Sequence, residues 1–264
     1  MIKNIMGKIM IIDNATAISC MKKDIEYFYY DLEDLKFMPK NVTVFANSTE
    51  ELAEHKFVSA RAEDDVVISL HTDDVFLISE AVVFAKEKGK DIYFSLDKDT
   101  DVSFLNGAFL LEKSEDQGEK HWGIYGAIKN AEKISANGDI AVSAPDQNDI
   151  EYISSLPNRE WVFLPQRIKF MKNILIAKKE NALLGYLVYD SIEKGCYDIV
   201  MLYVHPSFRH LGAASALVKA FALECENKNG VPYYVCANSE GSANLARALG
   251  IAEIRKETVI YKLM

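Results

Sequence analysis

Arg209, Gly212, Ala213 and Ala214 stand in an arrangement that can hold an anion. A glycine lets backbone approach a ligand closely, and two alanines leave the first turn of a following helix bare. Leu217, Phe221 and Leu223 fall at helical spacing, so a helix is expected from near Leu211 to about Asn227. Its first N–H groups lack intrahelical acceptors. The helix dipole adds partial positive charge there, and Arg209 adds a full one, which together suit a pyrophosphate. His205 and His210 flank the loop and read as surface residues.

The loop needs an element to deliver it. Ile199-Val200-Met201-Leu202-Tyr203-Val204 is an apolar run that predicts a buried strand. His205-Pro206 ends it, because proline has no N–H for a ladder and fixes φ.

Arg209-His210-Leu211-Gly212-Ala213-Ala214 fits Arg/Gln-x-x-Gly-x-Gly/Ala. Set after a strand ending in Val-x-Pro, it resembles the acyl-CoA signature of the GNAT superfamily of N-acetyltransferases. Residues 138–264 follow the GNAT order: strand, two helices, three strands, helix, strand, helix, strands. Gly250-Ile251 stands where the family usually has Gly-Phe. The resemblance implies an α/β GNAT fold, a mixed and mostly antiparallel sheet flanked by helices, with acetyl-CoA as cosubstrate. It implies that Leu202, Tyr203 and Val204 offer backbone groups to the pantetheine arm. The Val204 N–H would lie near the thioester carbonyl, where it stabilises a tetrahedral intermediate. His210, Leu211, Gly212, Ala213, Ala214 and Arg209 would hold the pyrophosphate. Asn238 stands where the family often places an asparagine facing the cofactor, and Asn244, on the next helix, could also reach it.

By the same resemblance, a primary amine of a small molecule or a peptide attacks the thioester directly, in a ternary complex. The attacking amine must be neutral, so a base or a water chain to one is needed. The family often has Glu on the central strand, at the position of Val200 here. Asp198, on the same face by strand alternation, is the candidate base. The family's tyrosine that protonates the leaving thiolate is replaced by Ala246. Tyr203 is the candidate catalytic substitute, with Tyr233 and Tyr234 as alternatives. These departures keep a second function open, a non-catalytic acyl-CoA-binding sensor. Nucleotide binding is weaker, since neither GxxxxGK[ST] nor GxGxxG occurs.

The 264 residues, 49% hydrophobic, allow two domains of ordinary size. The boundary is expected near 137/138. Residues 1–137 carry 16 Lys+Arg against 25 Asp+Glu, and residues 138–264 carry 14 of each. The acidic first half argues against nucleic acid as a partner. Val66 to Lys113 runs strand, helix, strand, much as Ile199 to Lys256 does. The first half therefore reads either as a degenerate GNAT-like copy that has lost CoA or as an unrelated α/β domain. Its Leu70-His71-Thr72-Asp73-Asp74 lacks the arginine and glycine, and its aspartates would repel a pyrophosphate. No apolar run approaches a membrane span. Met1 to Met10 shows no secretory pattern. Four scattered cysteines suit a reducing cytoplasm and no metal site. The expected assembly is a monomer or a homodimer.

Overall fold

The computed structural model describes residues 9–97, 99–113, 123–155, 173–237, 239–255 and 258–264. Two compact units form: Met1–Ile124 with Cys236–Glu240 and Glu253–Met264, and Tyr125–Val235 with Gly241–Ala252.

The first unit opens with β1 (Met10–Ile12), α1 (Asn14–Met21), α2 (Ile25–Phe37), β2 (Val42–Ala46) and α3 (Thr49–Ala53). The single helix expected from Ala17 to Leu35 is in fact two. Asp13 and Asp24 each cap a new N-terminus, accepting from the N–H of Thr16 and of Tyr27. Then come β3 (Val58–Ala62), β4 (Val66–Leu70), α4 (Val75–Lys86), β5 (Ile92–Asp97), α5 (Ser103–Asn106) and β6 (Leu111–Lys113). The strand expected from Phe104 thus begins as a helical turn. β3 lies beyond the strands that the sequence reading assigned. Along β2 the pleat sends Val42, Val44 and Ala46 into a core with α1 and α2, and Phe45 into a core with α4. On α4 the buried face is Leu77, Ile78, Ala81, Val82 and Ala85. Phe76 and Val83 lie off that face, 52% and 55% exposed.

The remaining elements are β7 (Gly123–Tyr125), a 3-10 turn at Ala131–Lys133, β8 (Ala141–Ser143), α6 (Gln147–Ser155), β9 (Ile174–Lys179), β10 (Ala182–Glu193) and β11 (Cys196–Val204). They continue with α7 (Ala213–Asn227), β12 (Val231–Tyr233), β13 (Cys236–Ala237), α8 (Glu240–Ala248), β14 (Glu253–Arg255) and β15 (Thr258–Leu263). The helices expected between Pro157 and Phe170 lie outside the described residues.

The sheets do not follow the middle of the sequence. One has the order β1-β2-β3-β4-β5-β15-β6, so the last strand of the chain sits between two strands of the first half. β7, from the first half, sits between β13 and β14 from the second. The third sheet is β12-β11-β10-β9-β8. Its Tyr186 and Val188 pack with Ile153, Ile174 and Ile176, joined by Met201 and Tyr203. Tyr189, of opposite parity, meets Phe221 of α7 with ring centroids 5.1 Å apart. Among the described residues no helix is long and apolar enough to cross a membrane.

Candidate active site

β11 pairs antiparallel with β10 from Cys196 to Val204. On its other side it pairs parallel with β12 only from Cys196–Val231 to Asp198–Tyr233. That ladder takes in the whole of β12 while β11 runs on to Val204, so the end of β11 extends as a backbone edge beyond its parallel partner. The corresponding pair in the first unit differs. β4 and β5 stay paired from Val66–Ile92 to Ser69–Ser95, and β4 ends at Leu70.

The approach of β10 to β11 depends on one residue. A Cβ at Gly185 would collide with the Tyr203 carbonyl oxygen and sit 3.0 Å from the Val204 Cα. Beside it the Leu184 carbonyl accepts the His205 N–H at 2.9 Å, which fixes the strand exit. His205 Nδ1 then accepts from the Ser207 N–H at 3.3 Å and caps a 3-10 turn, Pro206–Phe208. The exposed Arg209 folds back, its Nε donating to the Val204 carbonyl at 3.4 Å.

Two left-handed residues make the turn into α7, His210 at φ 64° and Gly212 at φ 92°. The glycine bears that conformation without the Cβ clash. The first α7 backbone bond runs from the Ala216 N–H to the Gly212 carbonyl. The N–H groups of Ala213, Ala214 and Ser215 therefore precede the ladder. Gly212 gives no side-chain cap, and the first turn holds no acid. A bare, uncapped N-terminus beside an arginine is a good fit to a diphosphate. At the matching helix of the first unit, Asp74 Oδ1 accepts from the N–H of Phe76 and of Leu77 at 3.0 and 3.2 Å. That end is closed by the chain's own carboxylate. Just before it, His71 stacks on Phe57 at 4.1 Å and meets the Tyr27 hydroxyl through Nδ1 at 3.2 Å.

Asp198 is 8% exposed, opposite Asp190 on β10 and Tyr233 on β12. The alternation that set it beside Val200 is interrupted, because Val188 faces Met201 while Tyr189 faces Ile199. The extra residue is Val200, a bulge that is 42% exposed. Counted through the ladder, Asp198 shares its face with Met201 and Tyr203. At about 3.3 Å per residue, Asp198 and Tyr203 are roughly 15 Å apart, too far to touch one reacting carbon together. Tyr203 is half-buried, its ring 5.3 Å from that of Tyr186. Tyr234 is committed elsewhere, its hydroxyl bonded to the Ser242 carbonyl and Oγ. Tyr233 is buried in β12 and Ala246 is buried in α8. Asn244 is exposed on α8, its Oδ1 accepting from Arg247. Asn238 lies outside the described residues.

The far end of α7 is closed. Tyr189 donates to Glu224 at 2.7 Å, and Lys228 donates to both. Burial, then the Glu224 bond, pushes the Tyr189 phenol up to about 12. Burial pushes the Cys225 thiol up to about 12 as well. Among the described residues no group of His, Cys, Asp and Glu is placed to hold a metal ion.

Sequence reasoning missed two residues that shape the site, Gly185 and Asn137. Asn137 Nδ2 donates to the Leu211 carbonyl at 3.2 Å across 74 positions. A lone glycine in a strand and an Asn-Gly-Asp turn were the only signals.

Residues 144–251 match the family model described as Acetyltransferase (GNAT) family. No curated protein matches the chain. Among solved structures, a GCN5-related N-acetyltransferase from Sphaerobacter thermophilus is similar over 96% of this chain and 94% of its own, at 11% identity and a TM-score of 0.58. A tandem GNAT protein from the clavulanic acid biosynthesis pathway is similar over 97% of each chain, at 11% identity and a TM-score of 0.54. At such identities the likeness is one of fold, and that fold is GNAT over nearly the whole chain.

Proposed function

We propose that residues 138–264 form an acetyltransferase domain that moves an acetyl group from acetyl-CoA to a primary amine. The observation that carries the proposal is the pairing of an uncapped α7 N-terminus with the backbone edge beyond the β11–β12 ladder. A diphosphate on the N–H groups of Ala213, Ala214 and Ser215, near Arg209, leaves the pantetheine arm to run along Leu202 to Val204. Gly212 keeps that approach open. His210, Leu211, Asn238 and Asn244 complete the proposed cofactor surroundings.

In the transfer, the neutral amine nitrogen attacks the thioester carbon. The C–N bond forms, the C–S bond breaks, and the amine proton leaves to solvent or base. The thiolate takes a proton to become the free thiol. An N–H of Val204 aimed at the carbonyl oxygen would stabilise its developing charge. Asp198 is the proposed base. Set well back along β11, it would act through water. Tyr203 is the proposed acid. The acceptor is a small or peptide amine, and the working compartment is the cytoplasm.

A second reading is supported by Val200 and Ala246, which replace the carboxylate and phenol expected by resemblance. It makes the domain an acyl-CoA sensor. Turnover separates the two. Free thiol released from acetyl-CoA over a broad amine panel is the expected result. Tight binding with no release from any amine would favour the sensor. The first unit is proposed to bind no CoA, because Asp74 fills the anion position and the β4–β5 ladder stays closed.

A further inference from the structure

We infer that Asn137 is a positioning residue for the anion loop, acting on it from outside the stretch that matches the family model. The inference rests on the reading of that loop as the diphosphate site of acetyl-CoA.

Asn137 is held firmly where it stands. Its own carbonyl accepts the Ile140 N–H at 3.1 Å, and its Oδ1 accepts the Asp139 N–H at 3.1 Å. Ile134 and Ile140 on either side are buried. Lys219, in the second turn of α7, donates to the carbonyls of Glu132 and Ile134 at 3.2 and 2.9 Å. The segment is thus tied to the same helix whose N-terminus would receive the anion.

From that fixed seat, the Asn137 amide donates to the Leu211 carbonyl at 3.2 Å. A trans peptide is planar, so its N–H points opposite to its C=O. Pinning the Leu211 oxygen therefore sets the direction of the Gly212 N–H, away from Asn137. Gly212 needs such a restraint, because a glycine rotates easily through many backbone conformations. A half-turn of this peptide would swap an N–H for a carbonyl oxygen at the loop. Space adds a second restraint. A Cβ on Gly212 would lie 3.3 Å from the Asn137 Cβ, so the two residues are in close register.

The test compares wild type, Asn137→Ala and Asn137→Asp with two ligands. Acetyl-CoA is titrated by calorimetry. Acetylpantetheine, which lacks the diphosphate, is titrated by ligand-observed NMR. Asn137→Ala removes two exposed hydrogen bonds, the one to the Leu211 carbonyl and the one from the Asp139 N–H, and is expected to weaken acetyl-CoA about three- to tenfold. Asn137→Asp keeps the Asp139 cap but turns an acceptor toward the Leu211 carbonyl, and should weaken it further. Acetylpantetheine binding should not move in either variant. Unchanged acetyl-CoA affinity in both variants would overturn the inference and leave the diphosphate reading standing. Equal loss for both ligands would also overturn it, marking Asn137 as general packing. A wild type that binds no acetyl-CoA would overturn the diphosphate reading, and the inference with it.

Discussion

Asp198 shows how one bulge changes what a residue can do. The extra residue at Val200 breaks simple alternation, so Asp198 lies buried on the Tyr203 face but far from it along the strand. If Asp198 removes the amine proton through water, Asp198→Asn lowers kcat by about 10²-fold or more with little change in acetyl-CoA affinity. Equal kcat in the variant would remove it from the mechanism. Gly185→Ala is a steric test of the strand pair. Its Cβ would meet the Tyr203 carbonyl, so thermal unfolding should show a loss of about 1–3 kcal/mol. Cys225 offers a chemical one. Burial raises its thiol from an ordinary 9.0 to about 12, so the fold favours the protonated form. Its contribution to stability is complete below pH 9 and is lost as pH rises towards 12. At neutral pH, mass-resolved thiol labelling should modify Cys225 only after unfolding, well behind the partly exposed Cys20 and Cys196. The loop residues were legible in the sequence because Arg, Gly and paired Ala act through local backbone. Asn137 and the bulge were not. One acts across 74 positions, and the other is visible only in the ladder register.

Elements separate the two units more clearly than residues do. α7 begins bare, whereas α4 begins with Asp74 bonded to its own N–H groups. β11 outruns its parallel partner, whereas β4 does not. Most strands of the second half were readable as apolar runs. The split of the α1–α2 segment was not foreseen, although Asp24 caps the second helix. So many residues of α4 are apolar that periodicity in the sequence cannot choose its buried face. The continuous apolar run Tyr233–Ala237 spans the end of β12 and the whole of β13, which enter different sheets. β15 carries the clearest element-level prediction. It pairs with β5 through Thr258–Lys262 and with β6 through Tyr261–Leu263. Removing residues 258–264 would leave both neighbours with an open edge. The truncated chain should melt at a lower temperature and aggregate in light scattering. An unchanged melting curve would show that the seven-stranded sheet does not depend on it.

At the scale of the whole molecule, strand pairing weaves the halves of the sequence together. β15 completes a sheet of the first half, and β7 joins strands of the second. No local pattern in a sequence announces such partners, because pairing between distant strands is decided by which edges are left open. The repeat of strand, helix and strand was legible, and so was the loss of arginine and glycine from its first copy. Under the proposed function, two similarly ordered halves carry one cofactor site. Calorimetry with acetyl-CoA tests this most directly, on wild type and on Arg209→Glu combined with Gly212→Asp. The prediction is one site per chain in wild type and none in the double variant. Two sites, or one that survives the double variant, would contradict the placement of the cofactor at α7. No binding at all would contradict the acyl-CoA account itself.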